Sequence, residues 1–572
     1  MIKIRDFPGA HDVVELEIKA VELMVSSIRT HYNTFSLVNR LPPELLTLIF
    51  SFVRDCYLDL SRPFPRSKIC TEPLLAIPWF KVTHVCRQWR NVALENPDLW
   101  SHVVLGTKWM PENFRRSRRA PLTINHSFPS DNELEKQGIH TFNEDMDDLE
   151  EEIAHHRSHL LQLTLAGTIV DFQWILHPLH GPAPLLERLD LWNTGGPEYD
   201  APSFPGDLNT FTPRLHFLRL VGWEASWTTL TFKTLVYLEV KPSPPAESNV
   251  PVGDFCDFLG ALEKMPCLEV LRLTNVLPSP PSTAAPHSVL GPIVILPKLR
   301  QITLSEDTSV CGLALKHIVA PVTAEHNIAC WGGGNYEFLL PWLSVKFNLS
   351  TPMSQLSITD NSNQLHARAS ISAWAGGRNI VPGADSGEER KQLLCLSLAP
   401  DTPCLYWPQM EIICNALSSA NLEEIHVSYH ETETYGPEEF DRINWLAIFS
   451  GNKSVRHATI SFPREVSLGR LLTVTQFWRE GQTQPIFPSL ESFTLADVHL
   501  EYEWPVWGPQ LPKWLELWGP LTKLVLQRCT IKDAMLSELR TMIPEVVEVD
   551  PLIYPAWVGV FTTGLVSVSS VA

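Results

Sequence analysis

The stretch LPPELLTLIF at residues 41–50 decides the fold of the N-terminal region, and VTHVCRQWR at 82–90 and PDLW at 97–100 complete it. Two prolines open the first stretch at helix positions where a missing N–H group costs nothing. Glu44 follows in the first turn, where a carboxylate suits the positive end of the helix dipole. Three- and four-residue spacing then predicts an amphipathic helix with an apolar face formed by Leu45, Leu48, Ile49 and Phe52.

The second stretch predicts another short amphipathic helix, with apolar positions at Val82, Val85, Trp89 and Val92. Pro97 ends this helix, and two large apolar side chains, Leu99 and Trp100, follow it. Two short helices within about 50 to 60 residues bury little surface on their own. We therefore expect the rest of the chain or a partner to cover the surplus. Periodicity alone is also compatible with two core helices of a larger helical domain.

Four motifs occur here in order: Leu-Pro-x-Glu-Leu-Leu, Ile-Phe, Val-Cys-Arg-x-Trp and Pro-x-Leu-Trp. This arrangement resembles an F-box, a module that docks onto the Skp-family adaptor of a cullin–RING ubiquitin ligase. The resemblance implies adaptor-binding residues at Leu41, Pro42, Glu44, Leu45, Ile49, Phe50, Val85, Cys86, Trp89, Leu99 and Trp100. Residues 54–78 form a longer link between the helices than is usual, and their four prolines predict an inserted surface loop.

The chain after Arg119 repeats a six-residue pattern, apolar-x-x-apolar-x-apolar. Copies begin at Leu160, Leu186, Leu215, Leu235, Leu268, Leu299, Met353, Leu393, Leu422, Leu490 and Leu521, with a weaker copy at Val455. Successive copies lie roughly 20 to 35 residues apart, except for larger gaps around residues 305–392, and this period is typical of leucine-rich repeats. The period breaks down over residues 310–401, which predicts a long insertion, a loop or a bend.

Prolines mark the start of many copies. Pro184, Pro213, Pro266, Pro297 and Pro488 each lie two residues before the first apolar position, and Pro520 lies one before it. Proline neither extends a helix nor donates a ladder hydrogen bond, so it belongs at the entry of a strand. Helical spacing lies between predicted strands at residues 253–265 and 407–420. A generic α/β protein with parallel strands is the alternative.

The predicted fold class is therefore α+β, an N-terminal helical F-box followed by an irregular leucine-rich-repeat-like α/β solenoid. We expect an N-terminal helix over residues 1–35, an F-box domain over 36–105, a substrate-binding repeat domain over 106–550 and an apolar tail over 551–572. The N-terminal helix spans about residues 13–30, and we expect it to pack on the F-box or the later domain. The alternative is a short helix through which two copies of the chain associate. The tail carries no charged residue. We expect a final strand and a frayed end there, with a membrane anchor as the alternative.

Composition restricts the class of function. A net charge of −19 argues against coating nucleic acid, because phosphate binding needs a basic surface. Eleven cysteines without a C-x-x-C pair fit reduced thiols. Because the first residues lack the apolar run of a signal peptide, we expect a cytoplasmic or nuclear location.

Three other motifs resemble functional sites, but we interpret each of them as an ordinary structural feature. We interpret His155, His156 and His159 as a solvated helix face, not a metal site, and the basic run at residues 115–119 as a surface turn, not a nuclear localisation signal. The glycines at 332–334 lack the Lys-Ser/Thr of a P-loop. We therefore predict a non-enzyme without metal or cofactor.

The resemblance implies a substrate-recognition adaptor. It would bind the Skp-family subunit, and through that subunit a cullin, and it would also bind a protein substrate. The first alternative is a scaffold that binds the Skp-family subunit outside a ligase. The second is an enzyme fused to an F-box.

Overall fold

A computed structural model of the chain describes residues 10–58, 78–103, 105, 109–128, 146–168, 172, 181–195, 202–242, 253–278, 291–332, 336–349, 353–360, 369–375, 391–399, 412–417, 421–428, 452–461, 487–498, 515 and 519–550. The chain divides into two compact units, residues 1–249 and 250–572. The domain bounds expected from the sequence remain predictions. Most of the predicted inserted loop and the whole C-terminal tail lie outside the described residues.

The first unit begins with helices. They are α1 (Ala10–Asn33), α2 (Pro43–Leu58), α3 (Arg87–Glu95) and α4 (Pro97–Trp100), with 3₁₀ helices at Val38–Arg40 and Pro78–His84. The predicted loop was wrong at its start, because α2 continues through Leu58. The second predicted helix begins at Arg87 and not at Val82. The cause is Cys86, whose extended backbone interrupts the helix and whose Sγ accepts a hydrogen bond from the Trp89 backbone N–H.

Helix α1 was expected to pack on the F-box or the later domain, but its apolar side chains make no such packing. Its large apolar side chains are exposed. The contact with the α3 region comes from its polar side, where the Arg87 guanidinium donates a hydrogen bond to the Ser26 hydroxyl. Nearby, the Asn39 amide donates to the Asn33 carbonyl at 2.8 Å. None of the described helices is both long and apolar enough to cross a bilayer.

The rest of the first unit is a parallel sheet with helical connections. Its strands pair in chain order: β1 (His102–Val103), β2 (Leu122–Ser127), β3 (Leu160–Gly167), β4 (Arg188–Asn193), β5 (Phe217–Val221) and β6 (Tyr237–Lys241). The helices are α5 (Met110–Ser117), α6 (Met146–His156) and α7 (Leu208–Phe211). The basic run at 115–119, expected to be a surface turn, begins in the last turn of α5 and forms a turn at Arg118 and Arg119.

The second unit is built from more strands of the same kind. They are β7 (Val270–Thr274), β8 (Val294–Ile295), β9 (Gln301–Asp307), β10 (Ile318–Val319), β11 (Glu325–Trp331), β12 (Met353–Asp360), β13 (Ala369–Ala375), β14 (Lys391–Ala399), β15 (Glu424–Ser428), β16 (His457–Ser461), β17 (Ser492–Ala496), β18 (Lys523–Gln527) and β19 (Glu545–Val549). Its helices include α8 (Phe255–Glu263), α9 (Thr308–His317), α10 (Leu339–Leu349) and α11 (Asp533–Met542). Helix α8 confirms the helix predicted at 253–265.

The strand order explains why the repeat period breaks down over residues 310–401. The sheet order in this unit is β7-β9-β11-β14-β13-β12-β15, followed by β16 to β19. Strand β13 is antiparallel to both β12 and β14, while the other pairs in this sheet are parallel. Antiparallel neighbours need only short connections. An antiparallel strand between two parallel runs therefore breaks the repeat period.

The repeated apolar positions form the core. Every position of the twelve predicted copies is buried except Leu521, which is half-buried. The prolines have a more specific place than strand entry. In five copies the proline is the second residue of a turn that precedes the strand; for example, the Leu186 N–H donates to the Ala183 carbonyl around Pro184, at 3.1 Å. A fixed φ suits proline to that turn position.

Candidate functional site

The helices around residues 38–103 enclose a small core of their own. Its buried side chains are Leu46, Phe50, Trp79, Val82, Ala93, Leu99 and Trp100. The rings of Trp79 and Trp100 lie 5.4 Å apart in an edge-on contact. Leu41 and Trp89 pack against this cluster and are partly buried. Residues far apart in sequence therefore hold α2, α3 and α4 together.

Three polar contacts fix the same helices. The Trp100 indole N–H donates to the Ala93 carbonyl at 2.8 Å, which ties α4 to α3. The Arg54 guanidinium is almost buried and donates from Nη1 to the Asp98 carbonyl at 2.6 Å, which ties α2 to α4. The Gln88 amide reaches the Leu41 carbonyl at 3.5 Å. These contacts join α2 and Leu41, which precedes it, to α3 and α4.

One side of α2 is apolar, and its side chains are exposed. Leu45 is 46% exposed, Leu48 52%, Ile49 40% and Phe52 62%. These residues repeat at three- and four-residue spacing, so they share one face of the helix. We call these four residues the α2 face. Contiguous exposed apolar surface in a soluble protein marks an interaction site.

The predicted binding residues fall into two groups. Pro42, Glu44, Leu45, Ile49 and Val85 are exposed, whereas Phe50, Leu99 and Trp100 are buried and Leu41, Cys86 and Trp89 are half-buried. The buried group supports the helices from inside, and the exposed group is free to touch a partner. The binding role of each residue remains a prediction.

Two exposed residues were missing from the predicted set. Leu48 and Phe52 belong to the α2 face as much as Leu45 and Ile49 do. The helical spacing of the four residues predicts that Leu48 and Phe52 share this face. The predicted binding residues were taken from the family motif, which does not include these two.

The surroundings of the site carry one strongly shifted group. Burial lowers the pKa of His102 from 6.5 to about 4, and the nearby positive charge of Arg54 lowers it further. His102 lies in β1, directly after α4. At neutral pH this imidazole is therefore uncharged.

The histidine cluster at 155–159 is partly internal. The Nδ1 atom of His156 lies 2.9 Å from Nε2 of His159, and the His156 ring stacks on Phe114 with centroids 5.0 Å apart. Burial lowers the pKa of His156 to about 4. Within the described residues, the only group with metal-ligand spacing is the exposed set His11, Asp12 and Glu15 on α1.

A second surface feature lies on the sheet of the first unit, on the side opposite to the buried leucines. Phe217 and Tyr237 stack with ring centroids 4.3 Å apart, and the Arg188 guanidinium lies 3.5 Å above the Phe217 ring. The Arg219 guanidinium contacts the carboxylates of Asp190 at 3.3 Å and Glu239 at 3.0 Å. Burial raises the pKa of Asp190, and Arg219 and Arg188 oppose that shift. We call Arg188, Trp192, Phe217, Arg219, Tyr237 and Lys241 the sheet patch.

Comparison with known families gives one match. Residues 38–106 match the model of the F-box-like domain. This range covers α2, the 3₁₀ helix at Pro78–His84, α3, α4 and β1. Comparison with curated proteins found no relative that matches the chain.

Proposed function

We propose that this F-box-like domain docks the chain onto the Skp-family adaptor of an SCF-type cullin–RING ubiquitin ligase, and that the chain acts as the substrate-recognition adaptor of that complex. The observation that carries the proposal is the α2 face. It is apolar, exposed and held in place by an internal core, within a segment that matches the F-box-like domain. A rigid apolar helix face is a typical docking element in helix-in-groove recognition.

For the remainder of the chain we propose a leucine-rich-repeat-like solenoid. The register of the parallel strands supports it. Leu163, Leu189, Leu218 and Leu238 are aligned across four successive strands of the first unit, and all four are buried. In the second unit Ile425, Ala458, Phe493 and Leu524 are aligned in the same way. Equivalent motif positions stack in this manner when each copy forms one coil.

The sheet patch is the part of this region that we propose for contact with the substrate. Trp, Tyr and Arg dominate the energy of protein–protein interfaces, and the patch brings these residue types together on adjacent strands. Lys241 lies 5.1 Å from the centroid of the Trp192 ring, so cationic and aromatic groups are interleaved.

The proposed role is non-catalytic, and the proposed location of the protein is the cytoplasm or nucleus. Holding a substrate near an activated ubiquitin thioester raises the effective concentration of its lysines, and no acid, base or nucleophile from this chain is needed. A scaffold that binds the Skp-family subunit outside a ligase is the second candidate, because the α2 face would be used in the same way.

The test is affinity purification of the tagged chain from cells, with and without a proteasome inhibitor. A substrate adaptor should recover the Skp-family subunit together with a cullin, and the inhibitor should increase further partners that a Phe217→Ala, Tyr237→Ala variant fails to retain. Recovery of the Skp-family subunit without a cullin would favour the scaffold. Failure to recover the Skp-family subunit would contradict both.

A further inference from the structure

Helix α1 carries a continuous apolar seam that nothing in the described chain covers. The seam residues are Val14, Ile18, Val21, Val25, Ile28 and Tyr32. Each is at least 40% exposed. Their alternating spacing of four and three residues is the heptad pattern of core positions in a coiled coil. The six places, from Val14 to Tyr32, are all filled by aliphatic or aromatic residues, whereas the next place toward the N-terminus is His11.

The seam is separate from the side of α1 that contacts the rest of the first unit. At 100° per residue, Ser26 and Asn33 lie about 100° or more around the helix from the centre of the seam. Ser26 accepts a hydrogen bond from Arg87, and the Asn33 carbonyl accepts one from Asn39. The seam is therefore free to meet another helix without breaking these contacts.

The charged residues beside the seam identify the occupant. In an antiparallel pair of identical helices, Val14 would face Tyr32, Ile18 would face Ile28 and Val21 would face Val25. Glu15 would then lie beside Arg29 of the second copy, and Glu17 beside His31, twice each by symmetry. Glu22 and Met24 would each lie beside their own equivalent, so Glu22 makes the one like-charge pair.

The parallel arrangement is less favourable. It would bring Glu17 of each copy beside Glu22 of the other, which places like charges together on both flanks. Charges at such positions mainly set partner choice and orientation, while the apolar seam supplies the attraction.

We propose that α1 is a self-association element that joins two copies of this chain as an antiparallel, two-fold symmetric helix pair. A symmetric pair uses the same surface of both copies, which fits a seam whose two ends complement each other in charge. The seam spans about three heptads, near the lower limit for a stable pair, so association should depend on concentration. The proposal does not depend on the function of the F-box-like domain.

The first test is sedimentation velocity of the purified full-length chain over a concentration series. We expect a monomer–dimer equilibrium. Val21→Asp should weaken dimerisation by at least about a hundredfold, because it places two carboxylates in the apolar seam. Leu23→Asp is the matched control: Leu23 is also exposed on α1, at 67%, but lies on the side opposite to the seam. A monomer at every concentration, or equal loss in both variants, would overturn the proposal.

A charge exchange tests the orientation. Glu15→Arg should weaken the dimer, and adding Arg29→Glu to it should restore most of the affinity, because the two positions face each other only in the antiparallel pair. Both variants lose the Glu15–Lys19 contact of 2.8 Å within the helix, so comparing the two isolates the effect between copies. Absence of rescue would contradict the antiparallel arrangement.

Discussion

The rings of Phe50 and Trp89 lie 5.0 Å apart at an angle of 55°, and this contact joins α2 to α3. Phe50 is fully buried on α2, whereas Phe52, two residues later, is 62% exposed on the α2 face. The same residue type thus serves the internal core at one position and the outer surface at the other. This difference separates the side chains that stabilise the domain from those that we propose for docking.

Phe50→Ala should lower the free energy of unfolding by about 3 to 5 kcal/mol, because it leaves a cavity in the core. Phe52→Ala should change it by less than about 0.5 kcal/mol but should weaken adaptor binding. Chemical denaturation of both variants, followed by tryptophan fluorescence, measures the difference. Equal destabilisation would mean that the α2 face is packed in solution.

The buried leucine ladder gives a second prediction. Leu218 is fully buried and aligned with Leu189 and Leu238, whereas Leu521 is only half-buried at the start of its copy. Leu218→Ala should cost about 2 to 5 kcal/mol of unfolding free energy, and Leu521→Ala should cost clearly less. Thermal melts compare the two. A larger loss at Leu521 would contradict the observed core.

Two histidines, the buried His326 and the half-buried His126 with a shielded Nε2 atom, predict a loss of stability in acid. Burial lowers the pKa of His126 to about 4 and that of His326 to about 3, against 6.5 in the unfolded chain. Because the unfolded state takes up protons more readily, this stability is complete above pH 6.5 and is lost as the pH falls toward the folded pKa.

Replacing His126 with Phe should therefore reduce the fall in unfolding free energy between pH 7 and pH 5 by up to about 2 kcal/mol. Denaturant titrations at both pH values measure this change. His216→Phe, at an exposed position, is the control. An unchanged pH dependence in His126→Phe would contradict the assignment of a neutral, shielded imidazole.

The edge of the first sheet makes a prediction about truncation. His102 in β1 is paired with Thr123 in β2, and the Thr123 N–H donates to the Ser101 carbonyl at 2.9 Å. Removing residues 1–105 would take away β1 and expose the edge of β2, which is a template for aggregation. We expect aggregation of this fragment in light scattering, while removal of residues 1–35 should leave the chain soluble. A soluble, folded fragment 106–572 would contradict a structural role for β1.

The spacing of apolar residues in the sequence predicted much of this structure. The motif residues predicted the buried positions, because strand alternation depends only on which side chains point inward. The antiparallel strand β13 was not predicted, since apolar alternation does not reveal strand direction. The split between Phe50 and Phe52 was also missed, because a family motif marks both the residues that form the core and those that meet a partner.

The position of Cys86 shows a similar limit. The apolar spacing from Val82 to Val92 predicted one helix, but the extended backbone of Cys86 divides it. The role of a cap depends on its backbone conformation, which periodicity does not encode. For α1 the sequence left packing and self-association open, because an apolar stripe alone does not say what covers it.

The most direct measurement of the central claim is calorimetric titration of the purified chain with a purified Skp-family adaptor. The unaltered chain should bind, and Leu48→Asp or the paired change Leu41→Ala with Pro42→Ala should abolish or greatly weaken binding. Val345→Asp, at a 57% exposed apolar position on α10, should bind like the unaltered chain. Unchanged affinity in the Leu48→Asp variant, or no binding by the unaltered chain, would contradict the proposed docking through the α2 face.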